Sequence, residues 1–178
     1  FESLIPRIRN LKDKKVIPGL AVILVGDNPA SRVYVNSKTK TFKKLGLHTQ
    51  TFDFPSTVEE DDLLNLIEKL NFDIEYHGIL VQLPLPEHIN SDGILKSILP
   101  KKDVDGFHPE NAGLLAIGRP RFIPCTPNGI IKMLEYYNIE TAGKHAVIIG
   151  RSNIVGKPMF ALLAQKFKVG NSTVTMCH

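Results

Sequence analysis

Apolar residues along this chain fall into short unbroken runs and helix-spaced stripes, and the two patterns alternate. Leu20-Ala21-Val22-Ile23-Leu24-Val25 is a run of strand length ending at Gly26, as expected of a strand covered on both faces. Asp27 or Asn28 then caps a helix that has Pro29 in its first turn. Leu47 to Phe54 reads as a second strand. Thr57-Val58-Glu59-Glu60 is a capping-box pattern that opens a helix through Leu70, with Leu63, Leu64, Ile67 and Leu70 as its apolar stripe. Gly78 to Leu83 reads as a third strand, ended by Pro84 and Pro86, and Ser91 to Leu99 as a short helix.

This alternation predicts an α/β fold of parallel strands joined by crossover helices, with ligands collecting at the carboxyl ends of the strands. Gln82 lies at such an end. Periodicity is weak from Lys101 to Pro124. Thr126 then caps a new helix with Pro127 at its first position, Lys144 to Gly150 reads as a buried strand, a further helix starts near Val155, and Ser172 to Cys177 is one more strand. A domain boundary is placed near Cys125, giving domains 1–125 and 126–178. A dinucleotide-binding domain needs several more strands than the two seen after residue 143, so the chain is expected to be a fragment that continues past His178.

The helix after Asp27-Asn28-Pro29 carries the most informative pair. Taking Tyr34 as zero and about 100° per residue, Lys38 falls near 40°, with Leu45, Thr41, Ser31 and Phe42 on the same side, which is expected to be the buried one. An ammonium among Tyr34, Leu45 and Phe42 would lose hydration and release its proton more readily, which is one way to make a proton-handling lysine. A lysine snorkelling from the edge of the stripe is the other reading.

Composition narrows the field. Hydrophobic residues make up 43% and charged residues 22% of 178, the balance of an ordinary soluble globular protein. Net charge is +4, with lysines scattered and not interleaved with aromatics, which argues against nucleic acid and suits a small anion as well. No apolar run approaches the length of a membrane span. Two cysteines, Cys125 and Cys177, make neither a disulfide framework nor a metal cluster, and His77, His88, His108 and His178 lack ligand spacing, so no metal is assigned. A reducing compartment follows, the cytoplasm first, although an organellar protein stripped of its transit peptide would carry the same residues. Nothing at the start resembles a signal peptide, and a chain beginning at Phe1 is expected to be trimmed there.

Gly150-Arg151-Ser152-Asn153-Ile154-Val155-Gly156-Lys157-Pro158 lies between a strand and a helix, where backbone amides and the helix dipole receive phosphate oxygens. Ser152 replaces the middle glycine of a G-x-G-x-x-G and Gly156 comes one position late, so a tight turn that binds nothing stays open as a reading. Arg151 suits a ribose phosphate and favours NADP over NAD.

Taken together, Asp27-Asn28-Pro29-Ala30-Ser31-Arg32-Val33-Tyr34-Val35-Asn36-Ser37-Lys38, Gly78 to Pro86, Lys102-Asp103-Val104-Asp105-Gly106-Phe107, Pro124-Cys125-Thr126-Pro127 and Gly150 to Pro158 closely resemble the bifunctional methylenetetrahydrofolate dehydrogenase/cyclohydrolase family. The resemblance implies a folate-binding catalytic domain followed by the start of a Rossmann-like NADP-binding domain, with the active site in the cleft between them. It implies NADP-dependent oxidation of methylene-tetrahydrofolate to methenyl-tetrahydrofolate, then hydrolysis to formyl-tetrahydrofolate, by a homodimer. On the same footing, Lys38 handles protons, Tyr34 stacks on the folate, Gln82 holds and tunes Lys38, Asp105 grips the pterin and Ser31 supports Lys38. Gly150, Arg151, Ser152, Gly156 and Pro158 are the implied cofactor contacts. The chemistry of the residues suits these roles, since a carboxylate accepts paired donors along a pterin edge and a lysine of lowered pKa manages the protons of an attacking water. Asp103 is read as a loop or helix-end partner. The family continues after Cys177-His178 with a serine and further cofactor contacts, so weak NADP binding is expected of this stretch alone.

A short-chain dehydrogenase also pairs Tyr-x-x-x-Lys, but there the glycine-rich loop comes first, whereas here Tyr34 precedes Gly150. A non-catalytic folate- or nucleotide-binding module would have less need of Lys38 on an apolar face.

Overall fold

The structure, a computed structural model, describes residues 4–178. The expectation about Phe1 lies outside the described residues. Close contacts divide the chain into two compact units, one ending at Lys102 and one spanning Asp103–His178. The division falls ahead of Cys125 because a helix inside residues 103–124 packs within the second unit.

The first unit has helix α1 (Ile5–Asp13), strand β1 (Gly19–Val25), helix α2 (Pro29–Lys44), strand β2 (His48–Phe54), helix α3 (Glu60–Phe72), strand β3 (Gly78–Val81) and helix α4 (Ser91–Ser97). The strands pair in parallel in the order β2-β1-β3, with Gly19 beside His48 and Leu20 beside Gly78. Because β2 and β3 flank β1 on opposite sides, right-handed crossovers send α2 and α3 to opposite faces of the sheet. That topology explains why β1 is an unbroken apolar run buried at every position. On one face Ile23, Ile79 and Val81 pack with Leu63, Ile67 and Leu70 of α3 and Ile94 of α4. Truncating Ile67 to alanine there would cost about 2–5 kcal/mol.

The capping box does not form. The turn from Pro55 to Val58 delays the helix, Glu59 is the cap residue without a side-chain bond, and the Glu60 carboxylate accepts the Asn90 N–H at 2.5 Å. Glu60, Asp61 and Asp62 still place negative charge at the positive end of the helix dipole.

In the second unit, helix α5 (Pro109–Ala116) is followed by α6 (Cys125–Tyr136), β4 (His145–Ile149), α7 (Gly156–Ala164) and β5 (Thr173–Cys177). Pro124, not Thr126, is the cap of α6. Pro127 sits in the first turn, where its missing N–H costs nothing. Strands β4 and β5 form a parallel two-stranded sheet among the described residues, with His145 beside Thr173. The predicted burial of β4 is not met: Val147 is 58% and Ile149 86% exposed. Helix α7 packs on both strands, while these side chains have no covering layer among the described residues. No described helix is long and apolar enough to cross a membrane.

Candidate active site

The first turn of α2 is built by its cap. Asn28 Oδ1 accepts the Ser31 N–H at 3.1 Å, and Pro29 occupies the position where an N–H is not needed. Asp27 takes a different partner: its carboxylate meets Arg32 at 2.6 Å, and Arg32 also reaches Asp53 at 2.8 Å. Hydrogen bonds from Arg32 to Asp53 and Asp27 raise the guanidinium pKa from its usual value. These contacts tie the start of α2 to the carboxyl end of β2. No local spacing in the sequence marks Arg32 for this part.

The buried face of α2 is rotated from the expected one. Ser31 and Val35 are buried and Phe42 is half-buried, so the inward direction lies about 60–100° round the helix from Tyr34. Tyr34 is 64% exposed. A valine can approach the sheet more closely than a phenol ring, and Val35 takes the inward position. Lys38 is half-buried on the flank of this face. Its Nζ donates to Gln82 Oε1 at 3.3 Å, so the ammonium faces an amide oxygen.

Gln82 follows β3 directly. Its N–H donates to Ile23 O at 2.9 Å, extending the sheet bond to β1, and its Nε2 donates to Leu83 O at 2.8 Å. The second bond turns the amide so that its oxygen points to Lys38. The peptide Leu83-Pro84 is cis. A cavity of about 570 Å³ between α3 and Phe54 is lined by none of Ser31, Tyr34, Lys38 or Gln82.

Asp105 belongs to the second unit. It lies in a turn closed by Gly106 N–H donating to Asp103 O at 3.2 Å, with Gly106 at φ 71°. Asp103 is buried at 2% exposure, and its Oδ2 accepts the His108 N–H and Asn111 Nδ2, both at 2.8 Å. Asp103 is thus a loop partner. The sequence pattern did not mark Asn111, the buried partner of Asp103. Its signal was an asparagine one helical turn before Leu115, with both side chains buried on α5.

The glycine loop follows β4. Gly150 has φ 127° and donates its N–H to Cys177 O, while Gly156 begins α7. A Cβ on Gly156 would lie 2.3 Å from Gly150 O, so only glycine allows the helix to start this close to the strand. Ser152 Oγ accepts from Val155 N at 3.1 Å and Gly156 N at 3.3 Å, which closes the turn ahead of α7. Arg151 is exposed beside it and Pro158 is buried in the helix. The loop thus sets a close strand-to-helix crossing beside an exposed guanidinium.

Two family models match the chain. The tetrahydrofolate dehydrogenase/cyclohydrolase catalytic domain covers residues 2–105, and the NAD(P)-binding domain of the same family covers 124–178. The bifunctional protein FolD of Streptococcus thermophilus is 54% identical over 178 residues, which are 99% of this chain and 61% of the relative. FolD of Streptococcus pyogenes is 53% identical over the same shares. Among solved structures, the FolD methylenetetrahydrofolate dehydrogenase/cyclohydrolase of Campylobacter jejuni superposes with a TM-score of 0.92 at 50% identity, over 99% of this chain and 62% of that one. The Trypanosoma brucei enzyme, complexed with NADP cofactor and inhibitor, gives 0.92 at 34% identity, over 99% and 60%. The chain therefore spans 61% of the length of the curated relatives that it matches. With both domain models matched in order and half the residues identical to those of the bacterial proteins, the chain belongs to the tetrahydrofolate dehydrogenase/cyclohydrolase family.

Proposed function

We propose that this chain carries the folate site and the nucleotide loop of a bifunctional one-carbon enzyme. The enzyme oxidises methylene-tetrahydrofolate to methenyl-tetrahydrofolate with NADP, and then hydrolyses the methenyl compound to formyl-tetrahydrofolate. The observation that carries the reading is the Lys38–Gln82 hydrogen bond at the carboxyl end of β3, where a parallel sheet gathers its ligands.

In hydrolysis, water adds to the methenyl carbon, one carbon–nitrogen bond breaks, and a proton passes to the released nitrogen. Lys38 manages these protons, and Gln82 keeps its Nζ in place. Tyr34 offers an exposed ring for stacking on the folate, Asp105 accepts paired donors from the pterin, and Ser31 supports the α2 face that bears Lys38. Gly150, Arg151, Ser152, Gly156 and Pro158 hold NADP, which supplies the two-electron acceptor for the oxidation when bound. Residues 1–125 serve the folate and 126–178 the nucleotide. The protein acts as a homodimer in the cytoplasm on tetrahydrofolate derivatives, without nucleic acid or membrane.

The absorbance of methenyl-tetrahydrofolate reports hydrolysis directly. Lys38→Met should slow it by about 10²-fold or more, the usual loss of an acid–base group. A normal rate in that variant would overturn the assignment.

A further inference from the structure

The turn that carries Asp105 is held by a line of polar contacts running back to the surface of the second unit. Asp103 fastens both ends of the turn: its carbonyl accepts the Gly106 N–H, and its carboxylate oxygen Oδ2 accepts the His108 N–H. Behind that carboxylate stands Asn111, whose Nδ2 donates to the same oxygen from inside α5. Behind Asn111 stands Arg121, with Nη1 donating to Asn111 Oδ1 at 2.8 Å and Nη2 paired with Glu110 at 2.7 Å. Opposite, Gly106 packs so closely on Phe122 O and Pro124 that a Cβ would lie 3.3 Å from each. Asp105 is one residue from this contact.

A carboxylate buried at 2% exposure needs donors aimed at it, and a buried polar chain held by discrete partners resists rotation better than an apolar contact does. Arg121 is 37% exposed at its side chain and fixes the amide of Asn111, so Asn111 presents a donor and not an acceptor to Asp103. If Asn111 turned over, its oxygen would face the carboxylate and the turn would lose an anchor.

We infer that Asn111, oriented by Arg121, is a substrate-positioning residue that sets the placement of Asp105 through Asp103. This rests on the reading that Asp105 receives the pterin. Neither Asn111 nor Arg121 is a catalytic residue.

The test is calorimetric titration of tetrahydrofolate into the full chain. It compares the parent protein, Arg121→Gln, Asn111→Ser and each of these combined with Asp105→Ala. Arg121→Gln changes a half-exposed side chain and keeps the test open should Asn111→Ser fail to fold. Each single variant should weaken binding by about tenfold, the loss expected when one hydrogen bond no longer fixes a contact group. In the Asp105→Ala background the same changes should do almost nothing. A positioning role makes the effects non-additive, and a purely structural role does not. Equal weakening with and without Asp105 would overturn the inference, as would unchanged affinity in Arg121→Gln. Failure of the underlying reading looks different: Asp105→Ala alone would then bind tetrahydrofolate as the parent does.

Discussion

Lys38 and Gln82 are joined by a 3.3 Å hydrogen bond across 44 positions of sequence, and the far end of the same amide is anchored on Leu83 O. The amide cannot rotate without losing one of these contacts. Gln82→Leu keeps the size of the side chain and removes both polar ends. The rate of methenyl-tetrahydrofolate hydrolysis should fall by about 10-fold to 100-fold, less than for loss of Lys38 itself, because the ammonium remains but is no longer held. Stopped-flow absorbance separates the two variants, and equal rates for the parent and Gln82→Leu would remove the tuning role.

The exposure of Tyr34 separates packing from binding. A ring that is 64% exposed contributes little to the core, so Tyr34→Ala should change the free energy of unfolding by no more than about 0.5 kcal/mol. If the ring stacks on the folate, affinity should fall by about 1 kcal/mol, the typical worth of an aromatic pair. Urea unfolding and folate titration on one preparation give both numbers. A large stability loss with unchanged affinity would return Tyr34 to a structural role.

Gly156 faces a different constraint. Alanine there would push a methyl group to 2.3 Å from Gly150 O and 2.9 Å from Arg151 Cα, both backbone atoms that cannot swing away. Helix α7 must then move off the end of β4, at a cost of about 1–3 kcal/mol from overpacking. Binding of NADP should weaken in step, since the loop from Gly150 to Gly156 would widen. A Gly156→Ala protein with the parent's melting temperature and NADP affinity would show that the close crossing is not needed.

What could be read from the residues depended on how local the cause was. Strand β1 was legible because helices cover both of its faces, which requires every residue from Leu20 to Val25 to be apolar. The stripe Leu63, Ile67, Leu70 of α3 was legible for the same reason, one element meeting one sheet. The orientation of α2 was not, because Tyr34 and Val35 are neighbours in sequence and both apolar enough to face inward. Only the space beside the sheet decides between a phenol ring and a valine. Helix α5 was hidden by its short stripe, interrupted by Gly113, and its N-terminal cap is His108 Nδ1, an unusual acceptor for the Glu110 N–H. The Lys38–Gln82 bond and the line from Asp103 to Arg121 depend on tertiary contacts that no local spacing encodes.

Lys102 gives a prediction with a definite sign in pH. Its Nζ is buried and donates to Leu70 O and Asp73 O, both at 2.6 Å, so the ammonium covers carbonyls at the carboxyl end of α3. Burial lowers its pKa from the ordinary 10.5, with Asp73 opposing and Lys101 adding to the shift. The folded protein therefore binds this proton less tightly than the unfolded chain. Between the lowered value and 10.5 the unfolded chain holds more protons, so this group adds stability as pH rises through that window. Lys102→Met lacks the titrating group and leaves the two carbonyls without their donor, at a cost of about 1–3 kcal/mol. The gap between parent and variant should accordingly widen from neutral pH toward 10.5, as read by urea unfolding at both ends. A gap that stays constant or narrows would show that the buried ammonium is not held at a lowered pKa in the folded protein.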